Sequence, residues 1–137
     1  MNNRTYSVIG LMSGTSCDGI DLAHCHFLKE KNKWRYKMVN AESISYSKEL
    51  RDKLISCGKT SSLNLKKLDN ELGEFFSESL VKFIKKNKIS VDLISSHGHT
   101  VFHDIQLQLT HQIGNPLIIY INNKVPTVHN FRELDVL

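Results

Sequence analysis

The spacing of apolar positions changes character twice along the chain, and each change marks a set of elements. Residues 6–11 form a short apolar run that stops at a Gly/Ser/Thr cluster, the pattern of a strand entering a turn. Ile20, Leu22, Ala23, Cys25 and Phe27 then recur close to alternation, which predicts a returning strand over residues 19–27. A charged turn over residues 29–33 leads to Trp34, Tyr36, Met38 and Val39, a third strand reaching to about Ile44. Three short strands joined by turns predict an antiparallel meander.

Beyond Ser47 the period becomes helical. Ser47 is the expected N-cap of a short helix carrying Leu50, Leu54 and Ile55 and ending near Gly58. A longer helix is expected from near Asn64, with Leu65, Leu68, Leu72, Phe75, Phe76, Leu80 and Phe83 on one stripe and Asn87 suited to its C-cap. Residues 91–94 read as a compact strand leading into a binding loop, residues 107–113 as another strand, residues 117–121 as a short helix after Pro116, and residues 125–128 as a last strand. Three strands, two helices, then strands with a short helix predict an α/β fold. The sheet is expected to be mixed and flanked by helices, in the ribonuclease-H-like manner, without the regular strand-helix alternation of a doubly wound fold.

Composition narrows the class. Of 137 residues, 40% are hydrophobic and 23% charged, enough apolar material for a packed core. The formal charge of +4 is spread out, apart from Lys82, Lys85, Lys86 and Lys88. That cluster reads as a solvated helix end favoured by the macrodipole, not a nucleic-acid surface, because no stacking aromatics are interleaved with it. Three cysteines without a CxxC pair argue against a disulfide framework or structural zinc. No signal peptide or membrane-length apolar stretch is expected, and a reducing cytoplasm is the expected compartment.

Four segments carry the candidate chemistry. Residues 10–21 read Gly-Leu-Met-Ser-Gly-Thr-Ser-Cys-Asp-Gly-Ile-Asp, a hydroxyl-rich turn between two strands. Gly14 and Gly19 would permit positive φ and close approach of a ligand, and exposed N–H groups would form an anion-binding concavity. Asp18 suits phosphates only with Mg²⁺ or its waters between them. An ordinary Asp-Gly hairpin is the alternative. Residues 95–100 read Ser-Ser-His-Gly-His-Thr; residues 112–115 read Gln-Ile-Gly-Asn; residues 130–135 read Asn-Phe-Arg-Glu-Leu-Asp. Gln112 and Asn115 can make bidentate hydrogen bonds, and Arg132 can pair with Asp135 or Glu133. His97, His99, His103 and Asp104 admit a competing reading as metal ligands of a hydrolase. Cys57-Gly58-Lys59-Thr60 mimics the end of a P-loop, but Lys53 stands where the motif needs Gly.

In ordered combination these segments resemble the anhydro-N-acetylmuramic acid kinases, actin-like sugar kinases. The opening segment is similar to that family's signature hairpin, which implies ATP contacts by Gly14, Thr15, Ser16, Asp18 and Gly19, with Mg²⁺. The other three are similar to its sugar-pocket segments, which implies contacts to 1,6-anhydro-N-acetylmuramic acid by Ser96, His97, Gly98, Thr100, Gln112, Asn115, Arg132 and Asp135. Ser95 stands in place of the family's glycine, His99 in place of a glutamine, and Asn130 in place of an aspartate. Cys17 occupies a usually apolar position and is expected to pack rather than react. The resemblance implies that residues 1–137 are the N-terminal part of the kinase domain. A Gly-Gly-Gln-Gly segment, a loop beside the general-base aspartate, and a second domain would then lie beyond Leu137. No residue of the chain is assigned the general-base role. The isolated polypeptide is accordingly expected to have little kinase activity, with a non-catalytic sugar- or nucleotide-binding module as the alternative; full-length members are expected to be homodimers.

Overall fold

The computed structural model describes residues 4–31 and 33–137. Residues 1–3 and Asn32, the latter within the expected turn at 29–33, lie outside that description. The chain builds strands β1 (Thr5–Ser13), β2 (Gly19–Glu30), β3 (Lys33–Ser45), β4 (Leu93–Asp104), β5 (Leu109–Ile113) and β6 (Thr127–Val128). Its helices are α1 (Lys48–Ile55), α2 (Ser62–Asn87) and α3 (Pro116–Asn123), with single 3₁₀ turns at Cys57–Lys59 and Phe131–Asp135. The sheet order is β3-β2-β1-β4-β5, with β6 alongside β4. The first three strands form the expected antiparallel meander, and β4 joins β1 in parallel. Reaching β4 from the meander requires the crossover that α1 and α2 supply, which is the ribonuclease-H-like, actin-like plan the element order implied.

The core lies between α2 and one face of the sheet. Leu68, Leu72, Phe76, Leu80 and Phe83 recur every three or four residues and are buried against Ile9, Leu11, Ile20, Leu22 and Ile94. At β3 the opposite face stays open: Trp34, Tyr36 and Met38 are exposed. None of the helices in the described residues is long and apolar enough to cross a membrane.

Ser47 caps α1 as expected, its hydroxyl accepting from the Leu50 amide at 3.2 Å. Several boundaries move for local reasons. Helix α2 begins two residues before Asn64 because Ser61 caps it, accepting from the Asn64 amide. It ends with Lys88, not Asn87, in the left-handed region (φ 52°), while Asn87 turns its amide back to the Phe83 carbonyl. The expected loop at residues 95–100 is instead part of β4, paired with β1 on one side and, on the other, with β6 at Ser95 and β5 at His99 and Thr100. Strand β5 starts at Leu109 because residues 105–108 make the turn, with Gln108 at φ 53°. Strand β6 is only two residues long, since Lys124 caps α3 at φ 56° and Pro126 lacks the N–H a ladder needs.

Candidate functional site

The pairing register brings the sequence motifs to one end of the sheet. Ser13, the last residue of β1, lies opposite His99 of β4, and His99 lies opposite Ile113 of β5. The β1–β2 hairpin, the His97-Gly98-His99 run and the Gly114-Asn115 turn are therefore neighbours although they span most of the sequence.

The hairpin turn closes with the Cys17 amide donating to the Gly14 carbonyl at 3.2 Å. Neither glycine of the turn has positive φ; Cys17 does, at 52°. This corrects the expectation from the sequence. Gly19 is required for space, because a Cβ there would sit 2.3 Å from the Ile44 carbonyl oxygen of β3. Thr15, Ser16 and Asp18 are exposed at the tip. The Ser16 hydroxyl donates to Asp18 at 2.7 Å, and this bond, helped by the amides of Asp18 and Gly19, holds the carboxyl below its ordinary range. Asp18 is thus held as an anion at the hairpin tip. A groove of about 230 Å³ runs from Ser16, Asp18 and Gly19 to Asp21, Ser43 and Ser45.

A second feature is a narrow cleft of about 20 Å³ between β4, the β5–α3 turn and residues 129–130. Ser96, His97, Gly98, Gln112 and Asn130 line it, together with Asp69 of α2. Gly114, at φ +117°, forms the turn beneath; a Cβ there would meet the buried Phe76 ring at 2.3 Å. Gly98, at φ +72°, lets β4 pass under the Ile113 carbonyl, 2.7 Å from where a Cβ would lie. Ser96 is 1% exposed, and its hydroxyl has no hydrogen-bond partner among the described residues.

Not every residue predicted for the sugar pocket reaches this cleft. Asn115 accepts from the Leu117 amide as N-cap of α3 and donates to Asn70 at 2.9 Å, so its amide ties α3 to α2. Thr100 faces a different cavity with Cys17 and Cys57. Arg132 is bound to Asp135 at 2.6 Å and to the His103 Nε2 at 3.2 Å. Gln112 donates to Thr110 at 2.7 Å. The histidines engage separate partners: His97 packs its ring on Phe131, His99 bonds Ser13, and His103 bonds Thr110. That dispersal removes the basis for reading them as one ligand set.

Two participants were missed from sequence. Asp69 accepts from the Gly114 amide at 2.8 Å through its carboxylate, and its carbonyl accepts from the Asn115 amide at 3.0 Å. The available signal was a carboxylate inside the Leu65–Leu72–Phe76 stripe, where an apolar residue belongs. Tyr46, just past β3, donates to Ser13 at 2.6 Å beneath the hairpin.

A family model described as anhydro-N-acetylmuramic acid kinase matches residues 6–137. The chain belongs to the anhydro-N-acetylmuramic acid kinase family. Relatives bearing that name in Picosynechococcus sp. and Microcystis aeruginosa are each 36% identical to it, over 94% of this chain but only 35% and 36% of their own length. One from Caldanaerobacter subterraneus subsp. tengcongensis is 32% identical over 98% of this chain and 38% of its own. The chain therefore spans little more than a third of the length of these curated kinases.

Proposed function

We propose that this chain supplies the phosphate hairpin and part of the sugar pocket of an ATP-dependent kinase. Its reaction would be hydrolysis and phosphorylation of 1,6-anhydro-N-acetylmuramic acid to N-acetylmuramic acid 6-phosphate, a cytoplasmic step of peptidoglycan recycling. Residues 1–137 would form the N-terminal part of that kinase's domain. The observation that carries this reading is the buried, unpartnered Ser96 hydroxyl at a cleft wide enough for one hydroxyl-sized group. A buried polar atom without a partner is costly, and sites that select a sugar by its hydroxyls leave such atoms waiting for it.

The hairpin fits a magnesium nucleotide. The Thr15 and Ser16 amides have no acceptor among the described residues, and the Thr15 hydroxyl is exposed with them. The ionised Asp18 would repel bare phosphates but suits Mg²⁺, directly or through water. When bound, the ion would neutralise charge on the transferring phosphoryl group. Gly14, Thr15, Ser16, Asp18 and Gly19 would hold the nucleotide, while Ser96, His97, Gly98 and Gln112 would orient the sugar. In this reading the chain's own residues bind and position; the general base is not among them.

Titration of the ¹⁵N-labelled chain with Mg·ATP, and separately with 1,6-anhydro-N-acetylmuramic acid, tests this. Amide shifts are expected at residues 14–19 with the nucleotide and at residues 96–98, 112 and 130 with the sugar. Millimolar ligand that leaves both sets unmoved, or moves residues elsewhere, overturns the proposal.

A further inference from the structure

Beneath the hairpin lies a buried chain of hydrogen bonds that neither the family resemblance nor the ligand sites account for. Tyr46 donates its hydroxyl proton to the Ser13 Oγ at 2.6 Å. Ser13 Oγ stands 3.0 Å from the His99 Nδ1, and the His99 Nε2 stands 3.9 Å from the Cys17 Sγ. The Cys17 thiol in turn reaches the Thr15 carbonyl at 3.5 Å. Ser13, His99, Cys17 and Tyr46 are all buried, with exposures of 1%, 2%, 5% and 9%.

The direction of this chain follows from its end. Ser13 accepts from Tyr46, so its own proton is free to go to His99 Nδ1. That nitrogen is then the acceptor, and the ring is the neutral tautomer with its proton on Nε2. The Nε2–H points at Cys17 sulfur, and the thiol proton goes to Thr15. Burial supports each assignment: it raises the Tyr46 phenol and the Cys17 thiol, keeping both protonated, and lowers the His99 imidazole, keeping it neutral.

We propose that His99 is a positioning residue for the hairpin, holding the end of β1 through Ser13 and the far side of the turn through Cys17. The hairpin's role in nucleotide binding is the reading given above; its positioning by His99 is the new step. Cys17 sits in the left-handed region, which a non-glycine residue occupies only at a steric cost. The turn bond from its amide to Gly14 is one restraint, and its thiol adds two polar contacts among the described residues, the His99 Nε2–H and the Thr15 carbonyl. Glutamine, which the resemblance puts at this position, offers the same pair of functions, an oxygen to accept and an amide to donate. In this protein a glutamine at residue 99 could keep both contacts, to Ser13 and to Cys17, whereas a leucine keeps neither.

Hydrogen exchange read at two amides tests this without any ligand: Cys17, bonded to Gly14, and Tyr46, bonded to the Asp18 carbonyl at 3.1 Å. Protection factors, corrected for intrinsic rates, are measured for wild type, His99→Leu and His99→Gln. Loss of both polar contacts in His99→Leu is expected to reduce protection at these amides about tenfold, with His99→Gln staying within about threefold of wild type. Lowering the pH should release the two amides in wild type but not in His99→Gln. The titratable and charged groups around the ring are Cys17 and Asp18 of the hairpin, Tyr46, Arg51 of α1, Cys57 and Lys59 of the following turn, and His97 of β4. All are common to both proteins, so a difference between the profiles belongs to residue 99. Equal protection in His99→Leu and wild type overturns the proposal. So does a His99→Gln loss as large as that of His99→Leu, or a shared pH profile. If His99→Leu does not fold, the wild-type and His99→Gln profiles still decide. A chain whose residues 14–19 ignore Mg·ATP would overturn the nucleotide reading and leave this result standing.

Discussion

Replacing Ser96 with alanine should stabilise the protein while weakening the sugar binding proposed for it. The hydroxyl is buried with no partner among the described residues, so the folded state carries its desolvation uncompensated. Such an atom costs about 1–3 kcal/mol. Its removal leaves a void of roughly 10 Å³, worth about 0.2 kcal/mol against the variant. The balance is a gain of about 1 kcal/mol, since the lower end of the desolvation range suits a residue bordering a cleft. Urea denaturation followed by circular dichroism reads it directly: the midpoint should rise with the slope unchanged, and the melting temperature should rise by about 4 °C. Affinity for 1,6-anhydro-N-acetylmuramic acid, measured by the same titration as for wild type, should fall about tenfold if the sugar completes that hydrogen bond. A Ser96→Ala variant less stable than wild type would refute the reasoning, because it would mean the hydroxyl is already satisfied, for instance by a bound water in the 20 Å³ cleft.

Three further outcomes are expected. Gly114→Ala should destabilise by about 3 kcal/mol or more in the same assay, because a φ of +117° and a Cβ 2.3 Å from the fully buried Phe76 ring leave neither backbone nor neighbour free to adjust. Ser47→Ala should cost about 1 kcal/mol through the lost cap on the Leu50 amide, with the melting temperature as readout. Stability should fall as pH drops below the ordinary histidine value near 6.5. His24 and His99 are both held below that value, chiefly by burial, so the unfolded chain takes up protons that the folded chain refuses. The stability they contribute is complete above that value and is lost as pH falls from there through their depressed folded values. His24→Gln, which can keep the 2.8 Å bond to Ser7, should flatten part of that slope in denaturation curves taken between pH 7 and 5.

The meander, the two helices of the crossover and the Ser47 cap were legible because each rests on a local pattern: alternation, a helical stripe, a hydroxyl before the first turn. The four motif segments were legible by resemblance. What could not be read was how far a strand runs once neighbours pair with it. Residues 95–100 look like a loop because Ser, His, Gly and Thr have no strand pattern of their own, yet pairing with β1, and with β6 and β5 at either end of the stretch, keeps them in the ladder. The turn glycines misled for a related reason. Gly19 is dictated by the approach of β3, more than twenty residues away, and the positive φ fell to Cys17, which tertiary contacts restrain.

The same cause explains the partners that were missed. Tyr46, Ser13, Cys17 and His99 come from three segments separated by tens of residues, and only the β1–β4 register brings Ser13 opposite His99. Read alone, Cys17 had no neighbour that could act on it and was expected to be a packing residue. It is buried, as expected, and burial pushes its thiol further from ionisation, which favours a packing role over a nucleophilic one despite the imidazole beside it. A Cys–His pair signals catalysis when the sulfur is exposed and easily ionised. Here both groups are neutral and enclosed, and the pair is better suited to holding a turn in a conformation that cysteine does not favour.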